Sequence, residues 1–422
     1  MKQLVATVFL LGFTSIAVAD DWPAWRGPTG QGYCFEKDVP LKWSATENVK
    51  WKIKLQHPGN STPIVWKDKI ILTMANKGGT VRSILCFDRA DGKQLWKNDV
   101  SYPDKEQNWT PDWYANASPI TDGERIVVSF GSAGMYCYDF KGQELWKRTD
   151  LGKWQHNFGN ASSPVFYHDL CILYVGPDKQ KGPNGLVAVD KKTGKTIWQK
   201  EQKALWKKDS DSGSWGTPII VSIDGKDQLL YCPGYRLESV DPKTGAELWF
   251  CEGLMEYAYN SPLFSPKHKI AVAMSGYHKS ALAVKVGGSG NITQSRLWHH
   301  PSNDQRVGSG VIVGDHVYIY EEASRERFTG PKCFELNTGK EVWQLEEKIG
   351  GTNWGSMVHV DGKLYVLTRD GTTFVLAASP KFEILATNRL DKGEQTNSSP
   401  AISNGEIFLR TNRHLWCINA KK

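Results

Sequence analysis

Tryptophan returns along this chain at a nearly fixed interval: Trp51, Trp96, Trp146, Trp198, Trp249, Trp298 and Trp343 lie 45 to 52 residues apart. The fullest copy of the motif that each tryptophan closes is Leu186-Val187-Ala188-Val189-Asp190-Lys191-Lys192-Thr193-Gly194-Lys195-Thr196-Ile197-Trp198. Residues 238–249, 333–343 and 86–96 repeat it, and residues 136–146 are a shortened version. A second landmark opens each unit: Ser61-Thr62-Pro63, Ala117-Ser118-Pro119, Ser162-Ser163-Pro164, Gly216-Thr217-Pro218, Asn260-Ser261-Pro262, Gly308-Ser309-Gly310, Gly355-Ser356-Met357 and Ser398-Ser399-Pro400, eight starts in all. A unit this short cannot bury its own apolar face, so neighbouring units must stack.

Inside a unit the signals are those of short antiparallel strands. Each start leads into a short apolar run, usually followed by a tight turn such as Asp122-Gly123, Asp224-Gly225, Asp361-Gly362 or Asn404-Gly405. These pairs supply the positive φ that a two-residue hairpin requires. A third run and an Asp-x-x-Thr-Gly turn then lead to a fourth run ending in Trp. Four antiparallel strands per unit and eight units predict an all-β, eight-bladed β-propeller. The unit starting at Ser398 runs out after Cys417-Ile418-Asn419, while Val49-Lys50-Trp51-Lys52-Ile53 is a fourth strand without its first three. The N-terminal strand is therefore expected to complete the last blade, which removes a free sheet edge. The seventh unit lacks its tryptophan and reads Phe382-Glu383-Ile384-Leu385, so its seam should pack differently.

Residues 1–19 read as a signal peptide: Lys2, an apolar stretch, then Ala17-Val18-Ala19 as a cleavage site. The stretch is too short to span a bilayer. Residues 20–47 form an N-terminal segment and 48–422 the propeller. Cys34 stands well past the cleavage site, so no cysteine is placed for a lipid anchor, and the expected location is periplasmic or secreted. Of the eight cysteines, Cys86, Cys137, Cys333 and Cys417 share one position in four different units and read as small buried hydrophobes. Local pairing stays open for Cys171, Cys232 and Cys251. The net charge of +7 is dispersed without a basic arm, which argues against nucleic acid.

The units resemble the pyrroloquinoline-quinone (PQQ) repeat, whose Ala-x-Asp-x-x-Thr-Gly-Lys-x-x-Trp signature Ala188 to Trp198 matches throughout. The resemblance covers roughly residues 48–419, and Trp22-Pro23-Ala24-Trp25-Arg26-Gly27-Pro28 is similar to the start of many exported bacterial proteins with this repeat. It implies that the seven repeat-end tryptophans dock between blades against the neighbour's glycine turn. Two subfamilies carry different functions. PQQ-dependent dehydrogenases hold the quinone and Ca²⁺ in the central funnel, commonly beneath a disulfide between adjacent cysteines, and no adjacent pair exists here. The other is typified by the propeller lipoprotein of the outer-membrane β-barrel assembly machinery, a scaffold without the quinone. The missing lipid anchor departs from that pattern.

Loop lengths indicate where a site would lie. From each repeat-end Trp to the residue before the next Pro or its substitute the chain spends 17 to 22 residues entering blades two to four, against 11 to 13 entering blades one, five, six and seven. Long loops on a rigid scaffold are where function usually sits. Trp109, Trp113, Tyr114, Trp154, His156, Trp206, Trp215, Tyr257, Tyr259 and Trp354 are aromatic residues on these linkers that the repeat does not explain. Tyr235, Arg236, Tyr277, His278, Arg369 and Arg410 follow second strands and should share that face, with Arg306 from a linker. Such a crown either plugs the funnel mouth or binds a ring-bearing, sugar or peptide partner.

No zinc-protease, nucleophile-elbow or Cys-x-x-Cys motif occurs. A calcium loop beginning at Asp209 would need Glu where Ile220 stands. The expectation is a monomeric, non-enzymatic propeller that needs no cofactor and binds a protein or polysaccharide partner through this face. The rival is a quinoprotein oxidoreductase using PQQ with Ca²⁺, in which Arg306 or Arg369 would pair the quinone carboxylates. Carbohydrate binding is a third reading.

Overall fold

The computed structural model describes residues 21–104, 106, 114–153, 156, 159–176, 184–202, 213–276, 280–301, 307–321, 330–345, 349 and 351–420. Eight antiparallel four-stranded units follow one another around a ring. Blade 1 is Ile64–Trp66, Lys69–Ala75, Val81–Asp88 and Gln94–Ser101, and the same order repeats through blade 7. In blade 8, Val49–Lys54 pairs antiparallel with His414–Ile418, so the N-terminal strand is the fourth strand of the last blade. The hairpin turns adopt the conformation their residues favour, with φ of 50° and 75° at Asp224-Gly225 and 50° and 71° at Asn404-Gly405.

The hydroxyl residue of each opening landmark has a specific task. The backbone N–H of Thr62 donates to Ser118 Oγ (2.9 Å), Ser118 to Ser163 (2.9 Å), Ser163 to Thr217 (3.0 Å), Ser261 to Ser309 (3.0 Å), Ser309 to Ser356 (3.0 Å), Ser356 to Ser399 (2.8 Å) and Ser399 back to Thr62 (3.1 Å). Between blades 4 and 5 the link is Ser261 Oγ to the Thr217 carbonyl, 2.6 Å. All eight side chains are buried. The belt satisfies the N–H groups where the innermost strands begin, and it closes in a circle. The residue before the hydroxyl is small in every blade but the fifth, where Asn260 stands, because the next blade is close: a Cβ on Gly308 would lie 2.1 Å from the Gly355 carbonyl.

At the rim, six repeat-end tryptophans donate their indole N–H to a carbonyl of the following blade, as Trp51 does to Arg89 (2.9 Å) and Trp146 to Lys191 (3.0 Å). Trp96, Trp198 and Trp298 lie against Gly142, Gly245 and Gly339, whereas Trp343 meets Phe382 and the Ser379 carbonyl. Trp249 departs from the docking expected for it. It is fully buried and donates to Gln228 of its own blade, while the blade 5 segment Gly290–Asn291 pairs in parallel with Trp249–Phe250. Blade 5 reads Gly287-Gly288-Ser289-Gly290 where blades 3 and 4 have Asp-x-x-Thr-Gly, which removes the docking turn.

The N-terminal segment crosses the hairpin-turn face. Trp22 exchanges backbone hydrogen bonds with Val65, Pro23 O accepts from Thr121, Gln31 accepts from Phe264 N, and Tyr33–Cys34 adds in parallel to Val358–Val360. Arg26, fully buried, donates to the Gly310 carbonyl. Farther on, Trp43 stacks with Tyr365 (6.4 Å, 5°) inside the cluster shared by blades 7, 8 and 1. That fills the seam where the repeat has no tryptophan. All eight cysteines are buried free thiols, so Cys171, Cys232 and Cys251 are not paired. Burial raises the thiol pKa of Cys251 to about 11 and that of Cys86 to about 12. Among the described residues no helix is long and apolar enough to cross a membrane.

Candidate functional site

Two residues before each belt hydroxyl, on the same side of the extended chain, stands a second ring: Asn60, Asn116, Ala161, Trp215, Tyr259, Val307, Trp354 and Asn397. Seven are half-buried and Trp215 is buried, so this ring forms the mouth of the propeller on the loop-rich face. Its composition is divided.

One arc is aromatic. The parallel pairing of Gly213–Ser214 with Tyr257–Ala258 sets Trp215 beside Tyr259, with ring centroids 4.8 Å apart. His156 meets Trp215 edge-on at 4.8 Å, Tyr257 lies 6.3 Å from Tyr259, and Trp215 donates its indole N–H to Gly159 O at 2.8 Å. The opposite arc is amide. Arg369 donates through Nε to Asn397 Oδ1 (2.9 Å), Asn397 to Asn60 (3.2 Å), Asn60 to Asn116 (2.7 Å), and Asn116 to the Asn160 carbonyl (3.0 Å). Trp354 adds an aromatic ring at the Arg369 end of the amide arc, where the Arg369 guanidinium lies 4.2 Å over it. Cation–π contact holds the arginine in place while leaving its charge at the mouth.

Beside the amide arc is a small pocket, with room for a water-sized group, lined by Arg82, Glu106, Tyr114, Asn116, Asn160 and the backbone near Phe130. Arg82 is buried against Glu106, which also accepts from Ser132 Oγ at 2.9 Å. Tyr114 packs over Gly79, whose φ of +71° and close ring contact leave no space for a Cβ. Burial first, and then the nearby Glu106 charge, raises the Tyr114 phenol pKa.

The sequence-derived candidates separate into three groups. Tyr114, His156, Trp215, Tyr257, Tyr259, Trp354 and Arg369 come together around the mouth. Arg236 and Arg410 do not. Arg236 is spent on Glu238 and Glu247 (2.5 and 2.7 Å) with Phe250 under its guanidinium, because the strand's own acidic residues lie within reach. Arg410 points inward to Ser61 O and Oγ (3.2 and 3.0 Å), wholly buried, and burial lowers its pKa to about 9. Tyr235 occupies the bend after the second strand of blade 4, at φ 63°. Trp109, Trp113, Trp154, Trp206, Tyr277, His278 and Arg306 lie outside the described residues, as does the segment from Asp209. Sequence reasoning misses Asn60, Asn116, Asn160 and Asn397. Their only signal is an asparagine recurring just before the small-residue landmark.

A family profile described as outer membrane protein assembly factor BamB, of the PQQ_2 repeat type, matches residues 36–149, 77–330 and 332–422. The chain belongs to this family. No curated protein matches it. BamB from Moraxella catarrhalis is similar over 88% of this chain and 96% of that one, at 15% identity and a TM-score of 0.59. Quinohemoprotein alcohol dehydrogenase from Comamonas testosteroni is similar over 96% and 81%, at 11% identity and 0.65. The computationally designed Ika8 protein shares the architecture over 87% and 99%, at 13% identity and 0.57. At such identities these likenesses describe the fold, which hosts unrelated activities.

Proposed function

We propose that this chain is an exported, non-enzymatic propeller that binds a protein or polymer partner at its loop-rich mouth. The observation that carries the reading is the division of the mouth into an aromatic and an amide arc on a ring closed by the hydroxyl belt. The mouth side chains are fixed by one another before any partner arrives, and such preorganisation lowers the cost of binding. The BamB family profile and the signal-peptide pattern of residues 1–19 support an exported scaffold. Capture of partners on immobilised protein tests it: Tyr259→Ala with Trp354→Ala should abolish capture while the melting temperature holds. Capture unchanged in that variant would rule the mouth out.

A second reading, a PQQ-dependent oxidoreductase, is favoured by the likeness to the quinohemoprotein dehydrogenase. Arg369 and Trp354 fit a carboxylated planar ring. Among the described residues no three His, Cys, Asp or Glu side chains gather to hold a metal. Calorimetric titration with PQQ and Ca²⁺, beside dye reduction on alcohols and sugars, separates the two readings. Stoichiometric binding with dye reduction would establish the oxidoreductase.

A further inference from the structure

The amide arc has hydrogen-bonding capacity beyond what the fold consumes. A primary amide offers two N–H donors and two lone pairs. Asn60 and Asn397 each spend one donor and one acceptor along the row, leaving one of each toward the mouth. Donors and acceptors aligned head to tail also polarise one another. The row ends at Asn160, whose backbone oxygen takes the last N–H. Its own side chain is only 8% exposed, and neither Oδ1 nor Nδ2 has a partner. A buried carboxamide in that state is costly and calls for an occupant. The pocket it lines is electrically balanced, since the Arg82 charge is met by Glu106. The group that enters this pocket is therefore uncharged and carries donor and acceptor together.

Vicinal hydroxyls meet that demand, each donating and accepting, and a pyranose adds a C–H face for the aromatic side of the mouth. An extended peptide would present its amides along a straight edge, whereas this row bends around an eight-bladed axis and ends in a pocket. We propose that the occupant of the mouth is a neutral saccharide. Its hydroxyl edge lies on Asn397 and Asn60, and one hydroxyl group enters the Asn160 pocket. This rests on the reading of the mouth as the binding surface.

The test titrates the full chain with cellohexaose, maltohexaose, xylohexaose and chitohexaose, followed by tryptophan fluorescence and calorimetry, with oligoglucuronate as the anionic comparison. Saturable binding of a neutral hexamer is expected, weakened about tenfold, the loss of one good hydrogen bond, in Asn160→Leu and separately in Asn60→Ser. Melting curves identify any variant that fails to fold, and the other then decides. No binding by any neutral hexamer, a preference for oligoglucuronate, or affinity unchanged in the folded variants would overturn the proposal. If sugars fail while partner capture still depends on Tyr259 and Trp354, the saccharide is wrong and the binding face stands. If both fail, the face itself is wrong.

Discussion

The hydroxyl belt shows what one atom per blade contributes. Ser309 Oγ accepts the Ser261 N–H at 3.0 Å, and Ser309 is 2% exposed. Ser309→Ala leaves that buried donor unpaired, a loss of about 1–3 kcal/mol. Ser309→Thr keeps the oxygen, and threonine already stands at the equivalent positions 62 and 217. Chemical denaturation should therefore give a lowered midpoint for the alanine variant and a nearly native one for threonine. Equal losses would mean that side-chain size, not the hydrogen bond, sets the tolerance at this position.

At the scale of the strand and turn, two glycines separate steric contact from backbone strain. Gly194 and Gly225 have φ of +73° and +75°, but a Cβ at Gly194 would lie 2.8 Å from the Trp146 ring, and at Gly225 it meets nothing within 4 Å. Gly225→Ala should cost only the left-handed strain, about 1–2 kcal/mol. Gly194→Ala must also displace the docked indole, so its midpoint should fall further and the Trp146 emission should shift. These turns are legible in the sequence because they obey local rules: positive φ selects Gly, and hairpins select Asp-Gly or Asn-Gly. The blade count, the closing strand and the unusual seventh seam are legible for the same reason, as they follow from a period. The amide row is half legible, an asparagine at a fixed offset whose partners lie a blade away. Partnerships without a period are not legible. Arg410 turning inward to Ser61, and Trp43 filling a seam some 320 residues from its own position, depend on how the ring closes.

A ring made from one linear chain has one joint where its ends meet, and here that joint is electrostatic as well as hydrogen-bonded. Glu406 of blade 8 accepts from Lys50 of the N-terminal strand (2.7 Å), from Arg89 of blade 1 (2.7 Å) and from Asn419 (3.3 Å). Burial alone would raise its pKa, but the hydrogen bonds and charges of Lys50 and Arg89 outweigh it and hold the carboxyl below its ordinary value of 4.5. A carboxylate favoured by folding contributes its full stability above the unfolded-state pKa, and loses it as pH falls through the lower folded-state pKa. The joint is therefore acid-sensitive, while the belt hydroxyls do not titrate in this range. Glu406→Gln should be less stable than wild type at neutral pH, since two cations lose their counter-charge. As pH falls below about 4.5 the difference should shrink, because the wild-type side chain becomes neutral as well. Paired denaturation curves across that window measure the convergence. A difference that stays constant with pH would mean the joint is held by strand pairing alone, with Lys50 and Arg89 adding nothing to the closure.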